Sequence, residues 1–118
     1  MKYLCMIYYE EKAPDALTKS EYDALTREAL AYDEELRKNG HFLVANALQP
    51  VHTARSLRMR NGRTFTTDGP FAETKEHLGG FILIEARDLD EAIRLAARIP
   101  PARLGGVEVR PIKELSPP

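Results

Sequence analysis

Five of the ten residues from Asp68 to His77, in the run Asp-Gly-Pro-Phe-Ala-Glu-Thr-Lys-Glu-His, carry side chains that titrate. A mixed set of Asp, Glu, Lys and His can pass protons or hold a polar ligand, and loops held by a rigid sheet are where such groups tend to sit. The competing reading is structural. Asp68-Gly69-Pro70 is good turn chemistry, and Glu73 to Glu76 reads equally well as a solvated loop or short helical turn.

Other chemistries find less support. Glu73 and His77 stand four apart, a spacing that presents two ligands on one helical face, but no His-Glu-x-x-His or third ligand accompanies them, so neither a metal nor a cofactor is expected. Cys5 falls mid-strand, where a thiol is buried and inert, and no Gly-x-Ser-x-Gly supplies a nucleophile. Gly79-Gly80 and Gly105-Gly106 are strand entries, with no phosphate loop or dinucleotide fingerprint around them. Arg55, Arg58, Arg60 and Arg63 form a basic run that reads as a solvated face, with binding of an anionic ligand or partner as the alternative.

The elements that must position these groups follow from hydrophobic period. Residues 2 to 9 read as a strand with both faces apolar, Tyr3, Cys5, Ile7 and Tyr9 on one side and Leu4, Met6 and Tyr8 on the other. From Thr18 the period becomes helical through Tyr22, Leu25, Ala29, Tyr32 and Leu36, with a Thr18/Glu21 capping box at the start and Asn39-Gly40 at the stop. His41 to Leu48 reads as a strand with Phe42 and Val44 on one face.

A hairpin follows around Asn61-Gly62. A two-residue turn would set Arg60 against Arg63, so a three-residue loop is favoured, pairing Leu57 with Phe65, placing Met59 on their face and putting Gly62 in the left-handed position. Gly80 to Glu85 is another strand with two apolar faces. Asp88 opens a second helix, capped with Glu91, whose Leu89, Ala92, Ile93 and Ala96 share a face and which Pro100-Pro101 ends. Val107 to Ile112 is the last strand.

This order is a ferredoxin-like βαββαβ pattern, α+β in class, with an extra hairpin. Two helices cover only one face of such a sheet. The other face would remain a large apolar patch, so a homodimer packed sheet on sheet is expected.

A chain of 118 residues and 13.3 kDa is one domain and can fold without disulfides, in keeping with a single cysteine and a reducing, cytoplasmic setting. Seventeen basic against eighteen acidic residues give a net charge of −1, so no overall field recruits nucleic acid or an anionic membrane. Gly80-Phe81-Ile82-Leu83 lacks the second stacking aromatic of an RNA-recognition module. The apolar run Tyr3 to Tyr9 is too short for a signal peptide or a membrane span.

The stretch from Thr67 to Phe81, TDGPFAETKEHLGGF, resembles the DGPF-motif branch of the YCII-related proteins. Met1 to Tyr8, Ala47 to Pro50, Asn61 to Arg63 and Val107 to Pro111 are similar to that branch as well, so the likeness runs over nearly the whole chain. It implies one YCII-related domain over residues 1–118 and a dimer of the dimeric α/β-barrel type. It also implies a link, in some members, to extracytoplasmic-function sigma factors. A distant YCII-related enzyme is a dehydrochlorinase acting on a chlorinated hydroxyquinol, and the wider group is associated with a His-Asp pair whose histidine lies in the first helical region. This chain has no histidine before His41, so that pair does not carry over.

Asp68 and Glu73, from the branch's motif, are the replacement candidates. Asp68 would be the base, Glu73 would share or relay the proton, Lys75 would stabilise negative charge and Tyr8 would donate a hydrogen bond, with Glu76 and His77 completing the ligand-binding set. A carboxylate is a weak base unless burial raises its pKa, so Asp68 or Glu73 must be partly desolvated. The expected function is binding of a small polar or aromatic ligand beside the loop, with isomerase- or lyase-like acid/base activity. A non-catalytic regulatory protein, whose hairpin and loop contact a partner, is the alternative.

Overall fold

The computed structural model describes residues 1–118. The apolar run at the start forms β1 (Lys2–Glu10), and the helical stripe after it forms α1 (Lys19–Lys38). The predicted capping box is in place: the Thr18 hydroxyl accepts from the Glu21 amide at 3.1 Å, and the Glu21 carboxylate accepts from the Thr18 amide at 2.9 Å. The chain continues through β2 (Phe42–Ala47), β3 (Arg55–Arg60), β4 (Arg63–Asp68), β5 (Glu76–Glu85), α2 (Leu89–Ala96) and β6 (Gly105–Pro111), with a 3-10 turn at Pro100–Leu104. No helix is long and apolar enough to cross a membrane.

Four strands make one sheet in the order β2-β5-β1-β6, antiparallel throughout, while β3 and β4 form a separate two-stranded sheet. β1 and β2 both run against β5, which lies between them, so β1-α1-β2 is a split unit and the architecture is ferredoxin-like α+β. The core lies where the helices cover the sheet: Tyr3, Cys5 and Ile7 of β1 and Ile82 and Ile84 of β5 meet Tyr32 and Leu36 of α1 and Ala92 and Ala96 of α2. Tyr32 also donates its hydroxyl to the Leu95 carbonyl at 2.6 Å, tying α1 to α2. Burial pushes the Cys5 thiol up to about 11, which leaves it protonated and unreactive as expected from its place in the strand.

On the opposite face Leu4, Met6 and Tyr8 stand beside Phe81, Leu83 and Val44, with no element over them. The Glu108–Arg110 ion pair at 3.0 Å borders this apolar strip on β6. Only 14 of the 118 residues are buried, and the chain measures 49 × 47 × 18 Å. Its radius of gyration is 16.3 Å, where a compact chain of this length has about 13 to 14 Å.

Four local expectations are corrected. The hairpin has the strict two-residue turn: Arg60 faces Arg63, Leu57 faces Thr66 and Phe65 faces Arg58, so Phe65 lies on the face opposite Leu57 and Met59. Asn61 (φ 52°) and Gly62 (φ 74°) both take positive φ, the type I′ geometry whose twist matches the strands, and repulsion between two solvated arginines is too weak to oppose it. In β2 the register shifts between Phe42 and Val44, which sends Phe42 to the core and Val44 to the uncovered face. In α2 the buried residues are Ala92 and Ala96, whereas Leu89 and Ile93 are exposed. The helix itself ends at Ala96, and Pro100-Pro101 open the 3-10 turn instead.

Candidate functional site

The Asp68-Gly-Pro-Phe71 motif clasps the base of the hairpin. Asp68 is exposed and pairs with Arg55 at 2.8 Å across the two strands. Gly69 donates its amide to the Ala54 carbonyl and accepts the Ser56 hydroxyl on its own carbonyl, both at 2.8 Å, which makes Ser56 the buried residue of the hairpin. The Arg58 guanidinium stacks 4.0 Å from the centre of the Phe71 ring. Gly69 holds φ +96°, a conformation L side chains rarely adopt. Gly69→Ala is therefore expected to add about 1 to 2 kcal/mol of local strain and to loosen the hairpin. Amide exchange should speed up across residues 55–68 with β1 and β5 unchanged; unaltered protection there would refute the clasp.

The remaining residues expected from the sequence are only partly brought together. Tyr8, Lys75 and Glu76 line a shallow, open cleft with Thr74, Gly105 and Glu108. Lys75 is held by Glu10 at 3.3 Å, and Thr74 donates to the Glu76 carbonyl at 2.6 Å. His77 pairs with Tyr9 in the β1–β5 ladder, so the stretch from Glu73 is no helix and presents no i, i+4 ligand pair. Glu73 is exposed and lines neither the cleft nor the cavity described next. Asp68, at the end of β4 and paired with Arg55, and Glu73 are both exposed, so neither has the desolvation a carboxylate base requires.

A true concavity lies on the helical side of the sheet. Tyr32 and Leu36, in the C-terminal half of α1, are buried against the core, whereas Tyr22, Leu25 and Ala29, earlier in the helix, face open space. The cavity between that half of α1, the β2–β5 edge and the Ile99–Pro101 turn has a volume of about 350 Å³, within the range of small-molecule sites. Its walls are mainly apolar, with Tyr9, Tyr22, Thr26, Asn46 and Asp33 as polar groups. Asp33 is partly buried, and burial raises its pKa; Glu34 adds to the rise and Arg37 opposes it. Burial raises the Tyr9 hydroxyl too, with neighbouring Tyr22 contributing. No three His, Cys, Asp or Glu side chains converge as a metal centre.

Reasoning from the sequence passed over Asp33. Its signal is position: Tyr22, Ala29 and Asp33 recur at helical spacing and share a flank of α1, so a carboxylate stands at the border of an apolar stripe.

Fold and cavity together define a ferredoxin-like α+β protein with one small concave site on the helical side of its sheet. The chain belongs to the YCII-related family, whose domain matches residues 1–116. It is 36% identical over 119 residues to the uncharacterized protein R00369 of Rhizobium meliloti (strain 1021), covering 99% of this chain and 96% of that protein. Among solved structures it is similar to 5-chloro-2-hydroxyhydroquinone dehydrochlorinase (TftG) from Burkholderia phenoliruptrix AC1100 in complex with 2,5-dihydroxybenzoquinone. That likeness has a TM-score of 0.54 and 18% identity, and covers 96% of this chain and 94% of the other. At such identity it speaks for the fold alone.

Proposed function

We propose that the protein binds a small hydroxylated aromatic molecule in the cavity between α1 and the sheet, with Asp33 as its acid/base group. The carrying observation is a carboxylate of raised pKa in a mainly apolar cavity of about 350 Å³. The apolar walls and the Tyr9 and Tyr22 rings suit an aromatic ring, and their hydroxyls can donate to a ring oxygen. Asp33 can accept a proton from a ring hydroxyl and return it, and the raised pKa brings its conjugate acid closer to neutral pH. The dihydroxybenzoquinone bound by the dehydrochlorinase motivates this ligand class. The Tyr8, Lys75 and Glu76 cleft, beside the DGPF loop that suggests that branch of the family, is the secondary candidate for a polar ligand.

The proposal includes a cytoplasmic dimer of the α/β-barrel type, packed through the face carrying Leu4, Met6, Phe81 and Leu83. The thinness of the chain and that uncovered strip support it.

Hydroquinone, uncharged at mildly acidic to neutral pH, is the test ligand for calorimetric titration. Its hydroxyl donates best to ionised Asp33, so affinity should rise as pH rises through the elevated Asp33 pKa. Asp33→Asn should remove that dependence and weaken binding about 10-fold or more, the scale of a hydrogen bond to a charged group. The effect on stability has the opposite sign. A carboxylate whose folded pKa is raised holds its proton more tightly when folded, so stability falls as pH rises through that pKa, and Asp33→Asn should not lower stability at neutral pH. Equal hydroquinone affinity in the two proteins, or no binding to either, would reject the site.

A further inference from the structure

The β3–β4 hairpin stands apart from the body. It pairs with no strand of the main sheet, and Ser56 is its only buried residue. A two-stranded ribbon by itself is marginal in water, yet this one has a matched turn and a built clasp at its base. Of its two faces, one carries Arg58, Arg60, Arg63 and Phe65. None of these arginines enters an ion pair, and Phe65 is 52% exposed.

The mouth of the α1–sheet cavity has the complementary character. Tyr22 and Leu30 line it and are 51% and 61% exposed, unusual for an apolar rim with nothing over it. Asp33 lines it as well, Asp15 follows the lining residue Pro14, and Glu11 stands three residues before it with Lys12 between; none of these three carboxylates is ion-paired. Residues 55–68 hold four arginines and one aspartate, whereas residues 10–35 hold nine carboxylates, five of them ion-paired, and three basic side chains.

We infer that the hairpin is an arm that closes the cavity of a second copy of this chain, laying Phe65 over Tyr22 and Leu30 and its arginines over Glu11 and Asp15, clear of Asp33. Strands of six residues extend about 20 Å, twice the roughly 10 Å between packed sheets, so an arm passing the edge strand β2 gains the helical side of its partner. Each site is then complete only in the dimer, because one protomer supplies the walls and its partner the lid. What the arm encloses rests on the cavity reading above; whether it docks does not.

The test pairs two single-cysteine additions at exposed positions, Leu30→Cys in one chain and Phe65→Cys in a second carrying a mass tag. Buried Cys5 stays silent. Treatment of the mixture with a short bifunctional maleimide should give a cross-linked product containing one chain of each kind, at least fivefold above either chain alone. Adding Arg58→Glu, Arg60→Glu and Arg63→Glu to the Phe65→Cys chain should remove that excess. No excess in the mixture overturns the proposal, as does a Leu30→Cys/Phe65→Cys chain that cross-links only within itself, or an excess that survives the charge reversal. If the cross-link forms but hydroquinone does not bind, only the cavity reading fails. If hydroquinone binds and the cross-link is absent, only the arm fails.

Discussion

Met6→Glu is expected to leave a chain that sediments at 13.3 kDa or aggregates, at micromolar concentrations where the unsubstituted protein should sediment at about twice that mass. Met6 faces Phe81 and Glu108 across its neighbouring strands, at the centre of the strip that no helix covers. In the proposed dimer the substitution buries an unpaired carboxylate in the apolar interface. An uncompensated buried charge costs on the order of 3 to 5 kcal/mol, which corresponds to a dissociation constant raised about 100-fold or more. The lone chain would tolerate the same change well, since Met6 is only partly buried there. Circular dichroism with intact secondary structure would separate lost association from lost folding. A Met6→Glu protein that still sediments as a dimer would refute sheet-on-sheet packing.

Gly105→Ala should disrupt the chain more broadly. A Cβ at Gly105 would lie well inside contact distance of the Tyr8 carbonyl oxygen, a main-chain atom that cannot swing aside, and close to the Glu76 carboxylate. Gly105 begins β6 and pairs with Tyr9, so relief requires β6 to part from β1 at that end. β6 is an edge strand that adds Val107 and Val109 to the core. Overpacking of this kind typically costs about 1 to 3 kcal/mol. The melting temperature should fall by several degrees, and Gly106→Ala, with open space at its Cβ, should leave it nearly unchanged. Equal melting temperatures for the two variants would remove the steric argument.

How much was legible in the sequence depended on whether the signal was local. The Thr18/Glu21 box and the two apolar faces of β1 are written in neighbouring residues, and the structure reproduces them. The side of β2 occupied by Val44 was not legible, because one unpaired residue at Leu43 reverses every later position while the composition stays the same. The hairpin register follows the backbone preference of Asn61-Gly62, which water does not weaken, and not the Arg60–Arg63 repulsion, which water screens. The titratable run from Asp68 to His77 shows the same limit at the candidate site. Density of charge says nothing of burial, and Asp68 and Glu73 are exposed. The α1 stripe pointed to the face of the helix that turns inward, but could not tell that its first turns stand off the sheet and leave room for a ligand.

The clasp at the hairpin base bears on kinetics as well as geometry. A flexible arm would surrender its conformational freedom at the moment of docking, and that loss would be subtracted from the affinity. Here the type I′ turn, the two hydrogen bonds of Gly69 and the Arg55–Asp68 pair settle the arm's shape during folding. In the proposed dimer two such arms would meet two such rims as rigid bodies. Changes at the contact residues should then appear mainly as shorter residence times, whereas loosening the clasp should slow encounter as well.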